Sequence, residues 1–100
     1  MRFTLTALAL TLTVGASAKD FPVTGGYGFD WLMSDSAKCR VISASQAAKF
    51  KKCQFFKNGN AFGLSSTYHE CVGPERSGFF IYETKAKCVD ALETMNANAP

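Results

Sequence analysis

The chain has 100 residues, 47% of them hydrophobic, 19% charged and 13% aromatic, with a formal charge of +3. That balance excludes collagen-like, low-complexity and wholly disordered chains, and the length allows one small domain. No apolar run reaches the roughly 20 residues of a membrane-spanning helix.

Residues 1–18 read as an export signal. Arg2 provides a short positive start, Leu5 to Val14 an apolar stretch, and Ala16-Ser17-Ala18 a small-x-small cleavage site. The mature chain would begin at Lys19 and be periplasmic or secreted. It carries ten Lys or Arg against eight Asp or Glu, a net charge of +2, unevenly spread. Between Ser36 and His69 lie six basic residues and no acidic one.

Residues 19–37, rich in glycine and aromatics around Gly25-Gly26-Tyr27-Gly28-Phe29, show neither a helical nor an alternating period and read as an N-terminal arm. Residues 38–100 read as a disulfide-stapled α+β domain. Cys39 to Ile42 is a short strand, and Ser43 with Gln46 forms a capping box for a helix over Ala44 to Lys52. Cys53 to Lys57 is the next strand, turned at Asn58-Gly59-Asn60, with Ala61 to Leu64 continuing on the other side. Thr67 to Val72 and Phe79 to Tyr82 form a hairpin around the turn Gly73 to Gly78. A closing helix runs from Lys85 to Asn96, capped by Thr84, with Cys88, Ala91, Leu92 and Met95 on one stripe. The order β-α-β-β-β-α gives a small, open, mainly antiparallel sheet with two helices packed on one face.

Four cysteines behind an export signal indicate two disulfides. Gaps of 13, 17 and 16 residues between successive cysteines lack the close pairs of a zinc site, so no metal and no cofactor is expected. The strand from Cys39 climbs about 13 Å and the following helix descends about as far, which brings Cys53 level with Cys39. The same matching sets Cys88 above Cys71, so the expected pairs are Cys39 with Cys53 and Cys71 with Cys88. With Cys71 opposite Phe80, these two face the helices. Phe79, Ile81, Tyr68 and Val72 then make an apolar far face, for the arm's Tyr27, Phe29, Trp31, Leu32 and Met33 to cover or for a partner to occupy.

Catalytic chemistry is thin. His69 is the only histidine, adjacent strand residues His69 and Glu70 point to opposite faces, and no G-x-S-x-G surrounds a serine. The basic stretch is the better signal. Arg40, Lys49, Lys51, Lys52 and Lys57, interleaved with phenylalanines and joined by Tyr27, Phe29 and Trp31 of the arm, suit a protein partner or an anionic polymer. Nucleic acid is not expected outside the cytoplasm. The expectation is a small exported, non-enzymatic interaction protein, inhibitor-like or an envelope binding module. The alternative is a small secreted hydrolase using His69 with nearby carboxylates.

Overall fold

The structure, a computed structural model, describes residues 20–98, so the export signal expected at 1–18 lies outside the described residues. In chain order the elements are β1 (Tyr27–Asp30), β2 (Arg40–Val41), α1 (Ala44–Ala47), β3 (Lys52–Gly59), β4 (Ser66–Val72), β5 (Gly78–Tyr82) and α2 (Lys85–Ala97). Tight 3-10 turns occupy Trp31–Ser36 and Ala61–Gly63. The strands form one open sheet in the order β2-β1-β5-β4-β3, antiparallel at every step. The α+β class, the order β-α-β-β-β-α and the two disulfides are therefore present, preceded by one more strand.

That strand, β1, corrects the arm. Residues 27–30 lie between β2 and β5, with Phe29 opposite Phe80 and Gly28 opposite Ile81. Glycine hides the alternation because the space on that face is already filled. A Cβ on Gly28 would stand 2.8 Å from Ile81 Cγ1 and 2.9 Å from the Phe80 carbonyl oxygen. Large side chains at 27 and 29 face one way, and glycine lets the neighbouring strand close up on the other.

α1 is a single turn rather than the expected run to Lys52. Its cap is as read, with the Gln46 N–H donating to Ser43 Oγ at 3.1 Å. The alanine stripe buries too little to extend the helix. Phe50 instead turns toward the sheet, and the Lys51 N–H donates to the Val72 carbonyl at 2.7 Å. β3 likewise runs through Asn58 to Gly59, so the expected tight turn is absent and the reversal falls in 60–65. Gly59 is required there because the Tyr68 ring fills the position of a Cβ.

The β4–β5 hairpin forms, but one residue out of the expected register. Cys71 faces Phe79 and Glu70 faces Phe80. The turn is closed by Ser77 N–H to Pro74 O, with positive φ at Glu75 and Arg76 rather than at the flanking glycines. A slip of one residue exchanges the two faces of a strand. Tyr68 consequently joins Phe29, Phe80 and Tyr82 beneath Cys88, Ala91 and Met95 of α2, while Cys71 joins Phe21, Ile42 and Ile81 on the other face. The far face is apolar, but Phe21 from the start of the arm, with Ile42, Ala47 and Phe50, covers it in place of Tyr27, Phe29 and Trp31. The helices thus divide, α2 over one face and the single turn of α1 over the other.

The cysteine pairing is also corrected. Cys39 bonds Cys88 and Cys53 bonds Cys71, with Cα–Cα distances of 6.1 and 4.0 Å. Equal height along the strands does not bring residues together when β2 and β3 are opposite edges of the sheet. Cys53 lies directly across from Cys71, whereas Cys88 belongs to the other face.

α2 starts as expected, with the Lys87 N–H donating to Thr84 Oγ1 at 3.2 Å. Under it, Tyr82 is 1% exposed and its hydroxyl has no hydrogen-bond partner among the described residues. Burial pushes the Tyr82 phenol well above its ordinary value of 10.0, against a smaller lowering by the nearby Ser66 hydroxyl. A raised pKa in the folded state leaves stability intact below the unfolded value and erodes it as pH rises beyond about 10. Tyr82→Phe should therefore raise the unfolding free energy by about 1 kcal/mol at neutral pH. It should also make the decline in alkali shallower, as read from urea unfolding at a series of pH values.

Candidate functional site

A two-part groove lies on the face opposite α2, beside the β2 edge. It consists of two hollows of about 210 and 550 Å³ that share Asp30, Met33, Gln46 and Phe79. β5 sets Phe79 in the floor, and Phe50 packs against it with ring centroids 5.4 Å apart. Lys38, just before β2, and Arg40, its first residue, stand along one hollow, and Lys49, just past α1, stands along the other with Glu75 of the β4–β5 turn.

The charges in this groove are not equivalent. Asp30 is committed to structure, since its Oδ1 accepts from the Leu32 N–H at 3.1 Å and the Gly78 N–H at 3.3 Å and so ties the end of β1 to β5. Among the described residues, the one Lys or Arg ion pair is Lys87 with Glu83, and His69 contacts Asp20. Lys38, Arg40 and Lys49 are exposed and make none. An aromatic and methionine floor under free cations suits an anionic group attached to an apolar body.

The basic residues singled out in the sequence separate in space. Arg40 and Lys49 border this groove. Lys51 precedes β3, and Lys52 and Lys57 lie on it, at the opposite edge of the sheet. Of the aromatics, Tyr27 and Trp31 are half-buried, with the Trp31 ring 5.6 Å from Phe80. Phe29 has 0% exposure and belongs to the core beneath α2. Sequence reasoning missed Met33, Phe50, Phe79 and Glu75 as one site. The far-face position of Phe79 is legible in the sequence; what hides the site is the expectation of both helices on one face, whereas Ala47 and Phe50 lie on the face of Phe79.

His69 is 6% exposed and held between aromatic rings, with centroids 4.8 Å from Phe21 and 5.1 Å from Phe55. Its Nε2 lies 2.7 Å from the Phe21 carbonyl oxygen and 2.9 Å from Asp20 Oδ1. Both neighbours are acceptors, so Nε2 carries a proton and donates. One carboxylate reaches the ring, and His69 lines neither hollow of the groove nor any of three others. The geometry is that of a histidine anchoring the segment before β1.

Among the described residues no helix is long and apolar enough to cross a membrane, no cysteine is free, and no group of three His, Cys, Asp or Glu converges as metal ligands would. Comparison with protein-family models, with curated proteins and with solved structures returns no match for this chain.

Proposed function

We propose that the protein is an exported, non-enzymatic interaction module that offers a basic and aromatic surface to a protein or anionic partner in the periplasm or outside the cell. The observation that carries this reading is the groove floored by Phe79 and Phe50 and bordered by Lys38, Arg40 and Lys49, which are exposed and make no ion pair among the described residues. Two disulfides with no free cysteine support an oxidising compartment. They also hold a small sheet rigid, which lowers the ordering cost of binding.

Heparin serves as the anionic probe. Replacing Lys38, Arg40 and Lys49 together by alanine should lower the salt concentration at which the protein leaves a heparin column and flatten the salt dependence of binding. Unfolding free energy should change by less than about 0.5 kcal/mol, because exposed charges contribute little to the fold. Retention indifferent to salt and to all three substitutions would refute the reading.

A further inference from the structure

The opposite edge of the sheet has a chemistry of its own. Antiparallel pairs alternate between those that exchange hydrogen bonds and those that do not. The Gly73 N–H donates to the Ser77 carbonyl at 2.9 Å. By alternation, Cys71 and His69 exchange their bonds with Phe79 and Ile81 of β5. Tyr68, Glu70 and Val72 are left to bond β3 through Phe56, Gln54 and Lys52. The N–H and C=O groups of Cys53 and Phe55 then point away from the sheet, and no strand among the described residues lies beyond them.

This edge is long and selective. β3 has eight residues, whereas the other edge, β2, has two, too few to direct a ladder. A register shift between Phe56 and Gly59 ends the regular pairing, and the Lys57 carbonyl is taken by Thr67 Oγ1 at 2.6 Å. The usable template is therefore the stretch around Cys53 to Phe55. Lys51, Lys52 and Lys57 bracket it, all exposed and without an ion pair among the described residues. Glu70, across from Gln54, is the one carboxylate on the paired stretch of β3 and β4.

Edge lysines deter indiscriminate pairing because an incoming neutral or basic strand must desolvate or oppose them. An acidic strand meets the opposite condition. A second copy of this chain is disfavoured, since antiparallel pairing of two β3 strands about Gln54 sets Lys51 of each directly against Lys57 of the other. We propose that the open edge of β3 is a strand-addition site for an extended acidic segment of a partner protein. The inference rests on the reading of the protein as an interaction module, and deepens it by naming the mode of attachment: backbone bonds at Cys53 and Phe55, with carboxylates on Lys51, Lys52 and Lys57.

A short peptide of alternating valine and glutamate, titrated into the isotope-labelled mature protein, should shift the amide resonances of Cys53 and Phe55 and slow their hydrogen exchange. N-methylating two adjacent central residues of the peptide blocks both of its edges without altering its charge, and should weaken binding about tenfold or more. Combining Lys51→Glu, Lys52→Glu and Lys57→Glu should weaken it at least as much with the circular dichroism unchanged, and the lysine counterpart of the peptide should not bind. Equal affinity for the methylated and unmethylated peptides would overturn strand addition, leaving only charge attraction. So would shifts centred on Lys49 and Phe79, or self-association of the protein through β3. If the peptide fails to bind while heparin retention still depends on Lys38, Arg40 and Lys49, the edge proposal falls and the interaction-module reading stands. If both fail, both fall.

Discussion

Replacing Cys39 and Cys88 together by alanine should lower the unfolding free energy by about 4 kcal/mol, against about 3 kcal/mol for the Cys53 and Cys71 pair. The difference follows from ring size. The first bond joins residues 49 apart and the second joins residues 18 apart, so the first removes more freedom from the unfolded chain. A domain this small draws marginal stability from its core alone, so a loss of that size consumes much of what it has. Urea unfolding of the two double variants tests the ranking. A greater loss from the Cys53 and Cys71 pair would show that local geometry at the hairpin, rather than chain entropy, governs the contribution.

Phe29→Ala should cost about 3 to 5 kcal/mol, the range for a buried aromatic. Phe29 is wholly enclosed, with ring centroids 6.2 Å from Phe62, 6.3 Å from Phe80 and 6.4 Å from Tyr82, so truncation opens a void where β1, β5 and the 61–63 turn meet. The backbone on either side is bonded to β5 and β2 and cannot collapse freely into the space. Phe29→Leu should recover more than half of the loss by refilling the volume. Denaturant unfolding of both variants gives the comparison. A cost below about 1 kcal/mol for the alanine variant would mean that residues 27–30 are not an inner strand, since burial in a packed core cannot be lost so cheaply.

What was legible in the sequence was local. The Thr84 cap and the Cys88, Ala91 and Met95 stripe gave α2 nearly to the residue, and Ser43 with Gln46 marked the start of α1. β4 and β5 were read from their β-branched and aromatic runs. The errors arose where distant segments decide the outcome. Gly28 replaces an apolar side chain because Ile81, 53 positions later, already fills the space, so β1 carries no alternation to be read. Which cysteines meet depends on the order of strands across the sheet, a quantity that strand length and helix rise do not contain. The groove combines residues of β1, β2 and β5 with those around α1 and the β4–β5 turn, and its aromatic floor depends on Phe50 reaching Phe79 across the face opposite α2. The lysine run looked continuous along the chain and is divided between two sheet edges because β2 and β3, neighbours in sequence, are the strands furthest apart.

The two covalent rings are nested, with the bond between Cys53 and Cys71 enclosed by the one between Cys39 and Cys88. A single peptide-bond cut anywhere from 40 to 87 leaves both pieces chemically joined. β1 is the exception. It occupies an inner position in the sheet yet precedes Cys39, so it belongs to neither ring. The stretch that links it to the first ring, residues 31–38, carries the exposed Leu32 and Met33. Scission there would leave an inner strand held by hydrogen bonds and the packing of Phe29 alone, with Asp20 and Phe21 at His69 as its remaining anchor. From 40 to 87 the molecule is thus protected against fragmentation, while the linkage at 31–38, whose loss would open the middle of its sheet, is not.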